Sequence, residues 1–210
     1  ASADYLVFVD GDCVLHPQFL SDHVAHRAHK TVLAGRRVSL TRWVTRLITP
    51  QRIRKDFIQK NYAWIFFVLL PINHSMAAKG VRFTSKLGRM FADRKPRGIL
   101  GCNFSLYKQD LLDINGFDTR YQSPGIGEDT DIDFRLRLNG CKTKPLIHAA
   151  IQYHLYHRLL TRTTDNDQIF AEVKSKRKHW TVTGLQAQMR VGTKVPTHTQ
   201  QSLGSGVTSS

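Results

Sequence analysis

A chain of 210 residues with 41% hydrophobic and 22% charged residues has the make-up of a globular protein with one sizeable domain. Thirty-one Lys and Arg against sixteen Asp and Glu leave +15, a balance that calls for an anionic partner: nucleic acid, an acidic membrane surface or a phosphorylated substrate. Three scattered cysteines, Cys13, Cys102 and Cys141, argue against a zinc knuckle and a disulfide framework and suit a reducing compartment. The longest apolar run, Tyr62 to Ile72, is also too short to cross a bilayer, which takes about 20 residues.

Tyr5 to Val9 is a continuous β-rich apolar run, the pattern of a parallel strand covered on both faces. It ends in Asp10-Gly11-Asp12. Pro17 then opens a helical pattern carried by Phe19, Leu20, His23, Val24 and Arg27. "TVLAGRRVSLT" reads as a strand with a glycine interruption, so the order suggests a βαβ unit. Residues 42–97 alternate Arg and Lys with bulky apolar residues, are broken by Pro50 and Pro71, and read as surface helices or loops. "GCNFSLYK" resumes the regular order as a loop and strand. "KQDLLDINGFD" is a short helix stopped at Gly116, and "SPGIGEDTDIDFRLRLNG" is a glycine-rich loop entering a helix that ends at Gly140. "KPLIHAAIQYHLYH" reads as a strand ending in His154 and His157. Residues 161–190 read as a helical extension, and the polar, aperiodic stretch 191–210 is expected to be a disordered tail.

Three acidic or imidazole groups stand out. Asp10 and Asp12 follow a strand, at the sheet edge where α/β proteins bind ligands, and the glycine between them lets two carboxylates approach a hard cation. An Asx turn would explain the same residues. Glu128, Asp129 and Asp131 cluster at a helix start. Helix capping accounts for one or two of these acids but not for the preceding Gly-x-Gly loop. A neutral imidazole from His154 or His157 could complete a cation site, though a chain with ten histidines also has ordinary surface ones.

The D-G-D, the "GCNF" and "NGFD" phrases, the "GEDTDIDFRLRLNG" phrase and the terminal "YH", in that order, resemble the family 2 glycosyltransferases, inverting enzymes of the GT-A fold. The resemblance runs from about Asp4 to Arg158 and is weak between 42 and 97. It implies an α/β, Rossmann-like GT-A fold, incomplete at the N-terminus, in which residues 1–160 are the C-terminal two-thirds of the domain. It also implies a Mn²⁺ or Mg²⁺ held by Asp12 and His154, with His157 as second choice. Asp10, Asp12, Gly101 and Asn103 would bind the nucleotide-sugar donor. Asp129 would be the general base, and Glu128 and Asp131 would meet the acceptor. The acceptor would be a glycan or a lipid-linked, cell-envelope glycan, and the location cytoplasmic, with the basic, aromatic 42–97 insert facing the acceptor or the anionic inner face of the membrane. Nucleic acid is not expected, because no recognition motif is present. The rival readings are a non-catalytic basic module that binds anionic lipid or nucleic acid, and an inactive fragment. An anion-binding surface would gain nothing from four acids in one cleft.

Overall fold

The computed structural model describes residues 2–69, 71, 74–83, 97–123, 126–158 and 161–187. Residues 84–96 of the basic segment and the tail expected at 191–210 lie outside them.

Strand alternation sets the layers. The first sheet contains β1 (Tyr5–Val9), β3 (Thr31–Ala34), β5 (Asn103–Tyr107) and β6 (Lys142–Pro145), in the order β1-β5-β3-β6. β5 is antiparallel to both β1 and β3, while β3 and β6 are parallel. Val32, Ala34, Phe104 and Leu106 turn to one face, where they pack on Ile132 and Leu136 of the long helix α8 (Glu128–Leu138) and on Leu111 of α7 (Lys108–Leu112). Leu33 turns to the other, against Phe19 of α1 (Phe19–His26). Period-two side chains thus give the sheet a helical layer on each face.

The expectation of a parallel β1 is corrected. Leu6 and Phe8 reach one core and Val7 the other, but β1 is an outer strand of the described sheet and pairs antiparallel with β5. A continuous apolar run reports coverage of both faces; it carries no information on which strand lies alongside. The βαβ reading survives in split form, because β1 and β3 run parallel with β5 between them.

The second sheet holds β2 (Cys13–Leu15), β4 (Arg37–Ser39) and β7 (Gln152–His154), in the order β2-β7-β4. Two expected single strands are therefore each divided. β3 and β6 leave the first sheet side by side and re-pair, again in parallel, as β4 and β7. The turns are built for it. Gly35 lies where an added Cβ would fall 2.1 Å from Asn103 Oδ1, and His148 and Ala150 take left-handed backbone (φ 59 and 44).

Among the described residues five short helices follow β4: α2 (Arg42–Arg46), α3 (Pro50–Arg54), α4 (Phe57–Lys60), α5 (Tyr62–Leu69) and α6 (His74–Lys79). Thr41 and Thr49 cap the first two, accepting from Val44 N and Arg52 N, with Pro50 in the first turn of α3. The expected surface helices form, but they are more than a covering. Val44, Ile58, Ile65 and Leu69 share a core with Val14, Val38 and Tyr153, the apolar face of the second sheet. Alternation then sends Cys13, Arg37, Gln152 and His154 to that sheet's opposite, polar face.

α8 begins at Gly127 and ends in a left-handed Gly140, where Cys141 N donates to Leu136 O and Gly140 N to Arg137 O. α9 (Asp165–Lys176) lies in the segment expected to be a helical extension.

Candidate functional site

The pairing of β2 with β7 builds the first half of the site. Cys13 stands opposite His154, and Leu155 N donates to Asp12 O at 2.9 Å, so the residue after the D-G-D turn is fixed beside the end of β7. Leu40 N donates to His154 O from the other side. Three residues on, His157 folds back. Asp12 Oδ2 lies 3.2 Å from His154 Nε2 and 3.1 Å from His157 Nε2, and the two imidazole nitrogens are 3.4 Å apart. His154 is buried, whereas His157 and Asp12 are half exposed. Both histidines, the first and the second choice of the sequence, reach the same carboxylate.

These residues fit a divalent cation. Their donor atoms lie within 4.8 Å of one another. Neighbouring corners of an octahedron with bonds of about 2.1 Å stand about 3.0 Å apart, close to the separations seen here. Burial, then the nearby Arg37, lowers the His154 pKa, which favours the neutral, ligating imidazole. Two nitrogens and one carboxylate suit a transition ion such as Mn²⁺ better than Mg²⁺, which prefers oxygen.

The two aspartates of D-G-D diverge. Asp10 is exposed and lines a separate cleft of about 320 Å³ together with Arg37, Gly101, Glu128, Asp129 and Arg162. Asp129 is held in place: its Oδ2 accepts from Gly101 N at 3.2 Å and its Oδ1 from Thr130 N at 2.7 Å. One carboxylate oxygen therefore serves the helix start, as a capping explanation requires, while the other ties the helix to the Gly101 loop. Glu128 is exposed, and its Oε1 would lie 3.8 Å from a Cβ built on Gly101. Gly101 thus faces the two acids across the cleft.

Two expected roles are corrected. Asp131 is fully buried, accepts from Arg135 Nε at 2.7 Å and lies 3.4 Å from the Tyr121 hydroxyl. Burial raises its pKa even with Arg135 beside it. Since Arg135 also donates to Ile114 O and Gly116 O, the pair locks α8 to the preceding loop and cannot meet an acceptor. Asn103 is likewise fully buried. Its Nδ2 donates to Arg36 O and Ala150 O, at the two places where the chain passes between sheets, and its Oδ1 faces His23 Nε2 at 3.1 Å. It supports the cleft from behind and does not line it.

Sequence reasoning missed Arg37, Arg162 and the Cys13–Cys102 pair. Arg37 Nη1 lies 3.9 Å from Cys102 Sγ, and the Cys13 thiol donates to Asp12 Oδ1 at 3.6 Å. Nothing in the spacing of these residues marks them. Only the re-pairing of β4 brings Arg37 to the polar face. His157, by contrast, is already a candidate ligand from its place after the last strand.

Residues 82–158 match the family model described as the N-terminal domain of galactosyltransferase. This stretch is therefore similar to a glycosyltransferase domain. It contains Gly101, Glu128, Asp129, His154 and His157, and the D-G-D turn lies before it. A search of the curated proteins found no match to the chain. The glycosyltransferase part of the resemblance drawn from the motifs is thus supported, through a galactosyltransferase family.

Proposed function

We propose that the protein is a cation-dependent, inverting glycosyltransferase of the GT-A type, moving a sugar from a nucleotide-diphosphate donor to a glycan or lipid-linked acceptor. One observation carries this reading: the Asp12–His154–His157 cluster and the Glu128–Asp129 cleft are neighbours, joined through the D-G-D turn and Arg37. A capping or turn explanation requires no such adjacency.

Asp12, His154 and His157 would hold the divalent cation, which when bound offsets the charge of the leaving diphosphate. Asp10 would meet the donor's ribose and Gly101 its sugar. The Gly101 amide keeps Asp129 aimed into the cleft, and Asp129 takes the proton from the attacking acceptor hydroxyl. Glu128 orients that hydroxyl. Arg37 and Arg162, on the same walls, favour anionic substrate groups. The matched family's name makes a galactosyl nucleotide the first donor to test. A cytoplasmic enzyme of cell-envelope glycan assembly is the setting that fits such substrates.

Asp129→Asn keeps the shape and removes the base. Its turnover should fall about 1000-fold while Mn²⁺ binding persists. Wild-type turnover in this variant, measured as nucleotide release, would overturn the reading.

A further inference from the structure

The helices over the second sheet have an outer surface that the proposed chemistry does not use. Val44 of α2, Ile58 of α4, and Ile65 and Leu69 of α5 all point into one core on the sheet's apolar face. The opposite sides of these helices therefore face away from the sheet together. That outer side is apolar where a soluble surface should be polar. Trp43 is 72% exposed, Phe67 69%, Trp64 50% and Ile53 38%. Trp64 and Phe67 stand three residues apart on α5, a helix that is apolar around its whole circumference. Around them the charge is one-sided. Between Arg42 and Lys60 the chain carries six Arg and Lys against one acid, Asp56, and all six cations are exposed. Arg46 stacks on Trp43, and Arg52 on Phe57.

From this arrangement we infer that the outer face of α2–α5 docks on an anionic lipid bilayer. Large aromatic rings among guanidinium groups match the boundary between acyl chains and acidic headgroups, where both kinds of group are satisfied at once. A protein partner would need acids to answer six cations; an anionic bilayer supplies negative charge and apolar depth in a single surface. The face also adjoins the site. Tyr156, which lies between His154 and His157 in the chain and is 52% exposed, donates its amide to Thr45 Oγ1 at the end of α2. Docking would hold the cation cluster beside the headgroups, within reach of a bilayer-anchored acceptor. That last step rests on the glycosyltransferase reading; the docking itself does not.

The test is co-sedimentation of the full chain with vesicles of phosphatidylcholine alone or mixed with phosphatidylglycerol. Anionic vesicles should bind at least about tenfold more tightly than neutral ones, and the difference should shrink as salt shortens the reach of the charges. Trp emission should move to the blue on binding, and Trp43→Phe with Trp64→Phe should abolish the shift, leaving Trp180 as the internal control. Trp64→Ser with Phe67→Ser, and separately Arg54→Glu with Lys55→Glu, should each weaken vesicle binding about tenfold with unchanged thermal unfolding. Equal binding to neutral vesicles, wild-type binding by both double variants, or retention on RNA or self-association without vesicle binding would each overturn the proposal. None of these outcomes depends on turnover, so docking and catalysis fail separately.

Discussion

Two corners of the molecule gather side chains around an aspartate, and they are opposite in kind. Asp118 is buried and saturated. It accepts from Arg120 through both carboxylate oxygens, from the Arg120 amide, and from the hydroxyls of Thr181 and Thr183. Burial alone would raise its pKa, but these donors outweigh it and hold the carboxyl below its usual range. Asp12 is half exposed, and its described neighbours are two imidazoles and a thiol. A carboxylate surrounded by arginine and hydroxyl donors has its bonding capacity filled and fastens the 181–183 segment to the core. One that faces two ring nitrogens, themselves potential ligands, has capacity left for a cation. Density of polar groups does not distinguish structure from function; the type of partner does.

Substitution should separate the corners. Asp118→Ala should cost about 3 kcal/mol in urea unfolding, because it strands buried hydroxyls and part of the Arg120 fork, while Mn²⁺ affinity stays unchanged. A neutral result would place Asp118 outside the framework. Asp12→Asn should do the reverse, weakening Mn²⁺ binding by about 100-fold with little change in unfolding. His154→Ala should match that loss, and His157→Ala, at the exposed side of the cluster, should cost nearer tenfold. Calorimetry with Mn²⁺ reads all three, and wild-type affinity in all of them would dissolve the cluster as a site.

The smallest effect concerns His23, which lies between Ser105 and Asn103, behind the cleft. Burial lowers its pKa to about 4 from an ordinary 6.5. As pH falls the unfolded chain takes up this proton first, so the contribution is complete above about 6.5 and is lost towards about 4. His23→Gln should flatten that slope in urea unfolding followed across the same range.

The motifs were legible because each is a local demand. D-G-D needs a glycine between two acids, α8 needs a capped and charged first turn, and Gly140 needs left-handed backbone; each requirement appears in a few consecutive residues. Asp131 shows the limit. It stands two positions from Asp129 in one acidic run, yet a helix turns by 100° per residue, so two steps place it on the far side, over Arg135. Asn103 sat in the correct phrase but on the inward side of β5, which strand order alone decides.

By itself, then, the sequence determined the α/β class, the acids of the D-G-D turn and the GED loop, the histidines past the last strand, and the basic, aromatic character of the 42–60 stretch. The tertiary structure alone decided that β3 and β6 cross together into a second sheet, that His154 and His157 converge on Asp12 while Asp10 turns to the cleft, and that Asp131 and Asn103 are framework. The reason is physical. Periodicity and capping act within a few residues, whereas strand pairing joins segments more than a hundred residues apart, such as Cys13 and His154, through contacts that no local pattern encodes.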